Sequence, residues 1–352
     1  MERSQIKWIW ISIAFSLLVM IGVLITTFDK NTLNYLLHFN PYYLLLAMGL
    51  RTGSLVFWAL RIQKMAESLG YKIPFLYSFN LVMANLLAGA ITPGQTGGEP
   101  VRVHELYRAD VKVGDATAIV IMERVLDGVV LTLMGIFAML TLGGIWQSLS
   151  IEVIIAMMVA WAFMIGIVIL LIFAARKPER AKGLMLRVLS WAERKSPVER
   201  LKKSIAFANQ EIDNFFAALN YFTTRGRRGL FYGIVFTSLF WSSEFFVASL
   251  LLVALGQHPF IAESFLFQLI IAVVMMVPLT PGSSGIAELS ATSLYVLIIP
   301  SSIVGIFVLL WRALLFYFNI VVGLGASLII VRREMKRTGS GKNRTPLEEQ
   351  AK

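Results

Sequence analysis

The sequence contains no cysteine. It therefore has no disulfide, no thiolate metal site and no cysteine nucleophile. Its three histidines, His38, His104 and His258, are scattered and lack the spacing of a metal site. Charged residues make up only 15% of the chain, which is too few for an ordinary soluble domain. These absences exclude thiol chemistry and predict that the chain binds no metal ion and no cofactor.

Apolar sequence dominates instead, with 57% hydrophobic residues and a mean hydropathy of +0.73. Several apolar runs approach 20 residues, the length of a membrane-spanning helix, and predict a multi-pass protein of the cell (cytoplasmic) membrane. The first run, Trp8 to Phe28, is too long for a signal peptide and lacks a small-residue cleavage site, so it is predicted to be retained. The formal net charge of +11 lies mainly in loops and the C-terminal segment, and no nucleic-acid partner is expected.

Eight segments are candidates for the membrane, and four basic clusters lie between or after them. No lysine or arginine occurs between Arg124 and Arg176, or between Arg228 and Arg312. The positive-inside rule therefore places all four clusters, and both termini, in the cytoplasm. The apolar segments are 8–28, 42–61, 75–92, 115–143, 151–175, 229–256, 264–299 and 303–331. The basic clusters are 61–72, 102–112, 176–228 and 332–344.

This orientation requires two segments to turn back inside the membrane. A full crossing by 75–92 would put the basic cluster 102–112 outside, whereas a hairpin that returns to the cytoplasm keeps it inside. Segment 264–299 is too long for one span and is predicted to enter and leave on the outer side. The predicted fold class is an all-α integral membrane protein with about six full spans and two oppositely oriented re-entrant helical hairpins. The alternative is two ordinary spans with proline kinks.

The two halves of the chain share a signature. Thr92-Pro93-Gly94 recurs as Thr280-Pro281-Gly282. The difference in residue number between these two copies is the repeat offset, and the same difference separates Arg124 from Arg312. Proline and glycine interrupt helices, and a charge within apolar sequence is costly and marks a pathway. The pattern predicts an inverted repeat of about 42–143 and 229–331. The predicted hinge residues are Thr92, Pro93, Gly94, Gly97, Gly98, Thr280, Pro281, Gly282 and Gly285.

Charged residues near the predicted middle of the membrane are the candidate site. Glu123, Arg124 and Asp127 lie roughly 15 Å into segment 115–143, and Arg124 is within helical reach of Asp127. Two interpretations are open. The three residues form a structural ion cluster, or the Arg124 guanidinium binds phosphate while the two carboxylates modulate its charge or bind an amine.

Arg312 has no acid within helical reach, which makes it the stronger candidate for a ligand contact and predicts a partner elsewhere, Glu244 or Glu288. Arg51, in the middle of 42–61, is a further candidate. Arg61, near the predicted cytoplasmic end of that segment, is explained by snorkelling to the interface. Glu99 and Arg102 follow the first helix break on a polar return arm that cannot face lipid.

Segment 176–228 carries 13 Lys/Arg and 5 Asp/Glu, with apolar residues at roughly helical spacing. It is predicted to form two amphipathic helices on the anionic inner leaflet, with a solvated linker as the alternative. The aromatic residues that favour the first reading are Trp191, Phe207, Phe215, Phe216 and Phe222. Residues 332–352 are predicted to form a cytoplasmic tail that is disordered from about 338.

The motifs resemble those of the lysylphosphatidylglycerol synthase transmembrane-region family, which includes the flippase part of multiple peptide resistance factors. The motifs that carry the resemblance are Pro93-Gly94 with Gly97-Gly98-Glu99-Pro100-Val101-Arg102, Glu123-Arg124-Val125-Leu126-Asp127, Thr280-Pro281-Gly282 with Gly285 and Glu288, and Leu310-Trp311-Arg312. The resemblance implies handling of a polar lipid across the bilayer. It does not imply synthase activity, because no aminoacyl-transfer domain follows residue 331.

The leading hypothesis is therefore a translocase for a phospholipid or a related lipid-linked molecule. Arg124 and Arg312 would bind phosphate, while Glu99, Glu244 and Glu288 would hold cationic atoms or couple protons. Alternatives are a transporter of a small organic anion and a non-catalytic membrane partner of a cell-envelope glycosyltransferase. An enzyme is not expected, since no metal set, nucleophile–base pair or nucleotide loop is present. Expected partners are membrane phospholipid, the anionic leaflet through 176–228, and a second copy or an envelope-biosynthesis enzyme.

Overall fold

The computed structural model describes residues 3–27, 30–92, 97–141, 199–275, 280 and 282–339, together with isolated positions between 151 and 183. Within these residues all regular structure is helical. The predicted span 151–175 and the insert residues 176–198 lie outside the described residues apart from those isolated positions. The helices are α1 Arg3–Thr27, α2 Lys30–Leu37, α3 Pro41–Ser68, α4 Phe75–Ala90, α5 Gly98–Arg108, α6 Val113–Thr141, α7 Glu199–Thr224, α8 Arg227–Ala254, α9 Ile261–Met275, α10 Ile286–Tyr295, α11 Ser301–Arg312, a π-helix Ala313–Tyr317 and α12 Phe318–Gly339.

Three continuous helical segments of the described chain are long and apolar enough to cross a membrane. They are Pro41–Ser68, Arg227–Ala254 and Ser301–Ile330. Shorter apolar helices occupy Ser16–Thr27, Phe75–Ala90 and Ile261–Met275. The chain is thus an all-helical protein with the composition of a multi-pass membrane protein.

Both predicted helix breaks are present. Helix α4 ends at Ala90 and α5 begins at Gly98, while α9 ends at Met275 and α10 begins at Ile286. The hinge residues Pro93, Gly94 and Pro281 lie outside the described residues. The two breaks meet in space, because the backbone N–H of Gly282 donates to the carbonyl oxygen of Thr92 at 3.0 Å.

The helix boundaries of the two halves match. The repeat offset carries Gly98 and Val113, the first residues of α5 and α6, onto Ile286 and Ser301, the first residues of α10 and α11. Helix α3 packs along its counterpart α8. The last helix of each half also packs against the broken pair of the other, α12 against α4 and α6 against α9. The halves are therefore interlocked, and their charged residues come together between them.

Helix α7 is the described part of the insert, and its apolar side is buried. Phe215, Phe216 and Phe222 lie in the protein core, and the helix packs against α6. These three side chains are not available to lipid, which corrects the part of the sequence interpretation that assigned them to the membrane surface. The final helix extends to Gly339, so residues 332–339 of the predicted tail are helical, and 340–352 lie outside the described residues.

A tyrosine fastens the turn between α3 and α4 to the start of α6. The hydroxyl of Tyr71 donates to the carboxylate of Asp115. Burial, reinforced by this hydrogen bond, raises the pKa of Tyr71 to about 12, so the hydroxyl remains a donor well above neutral pH.

Replacing Tyr71 by phenylalanine is expected to lower the free energy of unfolding by about 1 kcal/mol, because Asp115 loses its donor. The difference from the wild type should be present below pH ~10, the ordinary tyrosine pKa, and disappear as the pH rises through about 12. Unfolding of both proteins in detergent at pH 7 and pH 11.5 measures this difference in the free energy of unfolding. Tyr42→Phe, at a side chain that is largely exposed, is the control; equal values for the two variants would contradict the assignment.

Candidate functional site

A cavity of about 170 Å³ lies between the two halves. Helices α3, α4, α6, α8, α9 and α11 line it, together with the π-helix, the start of α12 and Gly282 of the second break. Three tryptophans and three phenylalanines form much of its apolar wall. Its charged lining residues are Arg51, Arg61, Arg124, Asp127, Glu244 and Arg312.

Arg61 lies at the centre of the first ion cluster. Its side chain is 1% exposed, and it donates from Nη1 to Asp127 Oδ1 at 2.7 Å and from Nε to Glu123 Oε1 at 2.8 Å. The indole of Trp58 donates to the same Glu123 oxygen at 3.0 Å. The snorkelling interpretation of Arg61 is wrong, because α3 runs seven residues further, to Ser68. Those residues add about 10 Å of helix and place Arg61 well inside the protein.

Glu123 joins a second arginine to this cluster. Arg102 of α5 donates from Nη1 to Glu123 Oε2 at 2.8 Å, and its side chain is almost completely buried. The predicted polar return arm thus points inward. Glu123 does not pair with its neighbour Arg124, since successive residues on a helix point in different directions.

Arg124 is the most accessible arginine of the site. It donates from Nε to Glu99 Oε1 at 2.8 Å, and its Nη1 lies 3.6 Å from Asp127 Oδ2, as the helical spacing predicts. Its side chain is 36% exposed and that of Glu99 is 27% exposed. Arg124 therefore lines the cavity and is also partly exposed at the protein surface.

Arg51 joins the two halves directly. It forms an ion pair with Glu244 of α8 and donates from Nη2 to Asn319 Oδ1 at 2.7 Å. Ser54, one turn along α3, also contacts the Glu244 carboxylate. Glu244 is therefore the partner of Arg51, and of the two acids proposed for Arg312 only Glu288 reaches it.

Arg312 is enclosed. Its Nε lies 2.9 Å from Glu288 Oε1, and the two side chains are 2% and 0% exposed. Nη2 donates to Ser284 Oγ at 3.1 Å, and the guanidinium carbon lies 4.1 Å from the ring centre of Phe316. Glu288 also accepts hydrogen bonds from Ser16 Oγ and from the backbone N–H of Gly285, both at 2.7 Å.

The chain changes its helical pattern immediately after Arg312. Residues Ala313–Tyr317 form a π-helix before the α-helix resumes. A π-turn is less stable than an α-turn and often occurs at functional sites. It shifts the register of the following residues, and Asn319, in the first turn of α12, lies within reach of Arg51.

The predicted hinge threonines brace the two breaks. Thr92 Oγ1 donates to the Ala88 carbonyl at 2.9 Å and accepts the N–H of Gly97 at 2.8 Å. Thr280 Oγ1 donates to the carbonyl of Ser284 at 2.7 Å. Each threonine hydroxyl therefore stabilises the loop in which the following proline and glycine interrupt the helix.

Several polar residues of the site were missed in the sequence. Besides Arg61, these are Ser16, Asn85, Gln268, Ser284 and Asn319. Ser16, Asn85, Gln268 and Asn319 lie singly within apolar segments, and an isolated amide or hydroxyl in such a run is the signal that would have found them. Within the described part of the chain, no three His, Asp or Glu side chains are grouped as metal ligands.

Arginines and carboxylates are equal in number in the site, but more of the arginines than of the carboxylates line the cavity. Five arginines and five carboxylates contact one another, so the set is formally neutral. Four of those arginines face the cavity, whereas among its described lining residues only Asp127 and Glu244 carry negative charge. The wall is therefore predominantly cationic. Guanidinium groups present paired donors to phosphate or carboxylate, which makes the cavity suitable for an anionic group.

Comparisons with known proteins find similar membrane proteins. The family described as lysylphosphatidylglycerol synthase TM region matches residues 9–323. A UPF0104 membrane protein of Archaeoglobus fulgidus is 31% identical over 315 residues, covering 86% of this chain and 94% of that protein. A UPF0104 membrane protein of Methanocaldococcus jannaschii is 22% identical over 349 residues, covering 96% of this chain and 100% of that protein. No solved structure matches.

Proposed function

This chain belongs to the lysylphosphatidylglycerol synthase transmembrane-region family, and on that basis we propose that it is a lipid translocase. It moves the polar headgroup of a phospholipid or a related lipid-linked molecule through the cavity between its two halves. The acyl chains remain in the surrounding bilayer. The buried carboxylates serve as partners of the arginines and not as catalytic bases.

The observation that carries this proposal is the cavity with four arginines inside a bundle of apolar helices. Arginine side chains at the centre of a membrane protein are costly and are retained where a substrate or an ion passes. A headgroup phosphate would replace part of the pairing that Glu99 and Asp127 give to Arg124. The displaced carboxylates would then be compensated by the ammonium group of a zwitterionic headgroup or by a proton, so that no charge is left unpaired in the membrane.

The size of the cavity supports a headgroup as the ligand. A cavity of about 150 Å³ accommodates a molecule of the size of benzene, and the observed volume is about 170 Å³. A phosphate with a small substituent fits this space, whereas two acyl chains do not. A lipid can therefore use the cavity only if its tails stay outside.

The lengths of the broken helices support the topology of about six full spans and two re-entrant hairpins. Helices α4 and α9 contain 16 and 15 residues. At 1.5 Å per residue they are about 24 and 22 Å long, short of the ~30 Å hydrocarbon core. Their breaks touch through Gly282 and Thr92. Two hairpins that enter from opposite sides and meet near the midplane account for both observations.

The proposed location is the cell membrane, with both termini in the cytoplasm. Arg225, Arg227 and Arg228 lie together at the start of α8. The positive-inside rule assigns this cluster to the cytoplasm. The same rule assigns the basic end of α12 to that side.

Removing the charges of Arg312 and Glu288 together tests the transport role. The variant Arg312→Gln/Glu288→Gln is neutral, so it avoids the unpaired buried charge that a single substitution leaves. Purified protein in vesicles is assayed with acyl-labelled phospholipids, by the fraction of label that an impermeant quencher reaches. We expect the translocation rate of the double variant to fall at least tenfold, while its melting temperature remains near that of the wild type.

Arg228→Gln is the matched control, because Arg228 is exposed and lies outside the cavity. Its rate should equal that of the wild type. Normal lipid transport by a folded double variant would remove the pair from the mechanism. Uptake of a water-soluble organic anion without lipid movement would instead favour the alternative transporter.

A further inference from the structure

Each half carries an arginine–glutamate pair in a corresponding place, although the repeat offset relates the two arginines directly and the two glutamates only to within one residue. Arg124 and Arg312 are related by the repeat offset. Arg124 pairs with Glu99, in the first turn of α5, and Arg312 pairs with Glu288, in the first turn of the equivalent helix α10. Each half of the protein thus places one arginine–glutamate pair at its own helix break.

The two pairs differ in exposure. The side chains of Arg124 and Glu99 are 36% and 27% exposed, and Arg124 also lines the cavity. The side chains of Arg312 and Glu288 are 2% and 0% exposed. Ser284 Oγ and the ring of Phe316 cover the Arg312 guanidinium. One pair is therefore open and its equivalent is closed.

The backbone differs at the same point. The π-helix Ala313–Tyr317 follows Arg312. The equivalent residues after Arg124 are 125–129, and they continue the α-helix of α6. Equivalent segments of the two halves thus adopt different conformations beside equivalent arginines. In transporters built from inverted repeats, movement of one repeat against the other around a central site switches access from one side of the membrane to the other.

We infer that the cavity contains two equivalent subsites for an anionic headgroup, one at each arginine–glutamate pair, and that the protein opens them alternately. The structure is the state in which the Arg124–Glu99 subsite is open and the Arg312–Glu288 subsite is closed. In the other state the accessibilities are exchanged. The identity of the ligand, a phosphate-bearing headgroup, rests on the proposed function. The motion itself can be measured without lipid transport.

Weakening the closed pair should shift the population between the two states. A conformational equilibrium moves when an interaction made in only one of the states is removed. Glu288→Gln removes the charge that holds Arg312 in place. The second subsite should then open, and the first should close in the same molecules.

The absence of cysteine makes this shift measurable, because one introduced thiol is the only thiol present. Ser284→Cys reports on the closed subsite, where Ser284 is fully buried beside Arg312. Ala272→Cys reports on the open state, since Ala272 lines the cavity and is half-buried. Each thiol is reacted with a small, charged, water-soluble thiol reagent in the reconstituted protein, with and without Glu288→Gln.

We expect Glu288→Gln to raise the labelling rate of Ser284→Cys at least tenfold and to lower that of Ala272→Cys several-fold. A rise at Ser284→Cys with no fall at Ala272→Cys would mean local loosening and would overturn the alternating mechanism, as would no change at either thiol. Glu67→Gln, in the exposed Lys64–Glu67 pair, is the control and should change neither rate. If Glu288→Gln does not fold, Glu288→Asp replaces it, because a shorter carboxylate weakens the pair but keeps its charge.

This experiment separates the two proposals. Thiol labelling can be repeated in detergent free of phospholipid, where no substrate is present. Reciprocal labelling there, without phospholipid movement in vesicles, would support two alternating subsites and reject the lipid as ligand. Phospholipid movement without reciprocal labelling would keep the translocase and reject the alternation.

Discussion

Replacing Arg61 by glutamine is expected to lower the free energy of unfolding by about 3–5 kcal/mol, one of the largest effects of any single substitution in this chain. Arg61 is buried between Glu123 and Asp127 and donates to both. Without it, two buried carboxylates lose their common partner, and glutamine cannot neutralise them. Removal of one member of a buried ion cluster is costly because an uncompensated charge stays in a medium of low dielectric constant. Unfolding in detergent, followed by helical content and melting temperature, measures the loss.

Lys64 supplies a matched control on the same helix. Three residues after Arg61, it forms an exposed ion pair with Glu67. Pairs of this kind contribute little to stability because water and salt screen them. Lys64→Gln should leave the melting temperature unchanged. In the Arg61→Gln background, Asp127→Asn should recover part of the lost stability, because it removes the excess negative charge that the loss of Arg61 leaves in the cluster. A melting temperature for Arg61→Gln equal to that of Lys64→Gln would show that the cluster is not stabilising.

Replacing Gly282 by alanine is expected to abolish transport and to destabilise the contact between the two helix breaks. Gly282 has φ +56°, a conformation that costs other residues about 1–2 kcal/mol. An added Cβ would also lie 2.6 Å from the carbonyl oxygen of Ala90 and 2.5 Å from the ring of Phe316. The loop must move away, and the hydrogen bond from Gly282 N–H to Thr92 is lost.

Two other glycines separate the causes of this effect. Gly256 has φ +71° but no atom within 4 Å of an added Cβ, so Gly256→Ala measures backbone strain alone. Gly53 lies within α3 with open space around it, so Gly53→Ala should stabilise the helix by roughly 0.5–1 kcal/mol. Transport and unfolding are measured for all three variants. Full transport by Gly282→Ala, or a loss of stability no greater than that of Gly256→Ala, would contradict a close approach of the two breaks.

Much of the architecture could be predicted because it depends on local sequence. Apolar length sets the helices, and Pro-Gly pairs set their breaks. The segment 264–299 was predicted to be interrupted, and it divides into α9 and α10. The repeat offset, taken from one tripeptide and one arginine, also relates the first residues of α5 and α6 to those of α10 and α11.

Helix ends were predicted less well, and one error had a consequence for the site. The predicted segment 42–61 follows apolar composition, but α3 continues through polar residues to Ser68. In this stretch Ile62, Met65 and Ala66 are buried in the core whereas Lys64 and Glu67 are exposed, so average hydropathy does not mark the end of the helix. Arg61 was therefore assigned to the membrane surface although it is among the most buried side chains of the protein.

Composition over short windows is enough to predict a helical membrane protein with a duplicated, broken-helix pattern and costly charges in its apolar segments, because each of these properties is local. The pairing of the charges, in contrast, follows from the folded structure. Arg51 pairs with Glu244, 193 residues away, and Arg61 with Asp127, 66 residues away. Ion pairing depends on distance in space, and the packing of α3 against α8 and of one helix break against the other sets those distances.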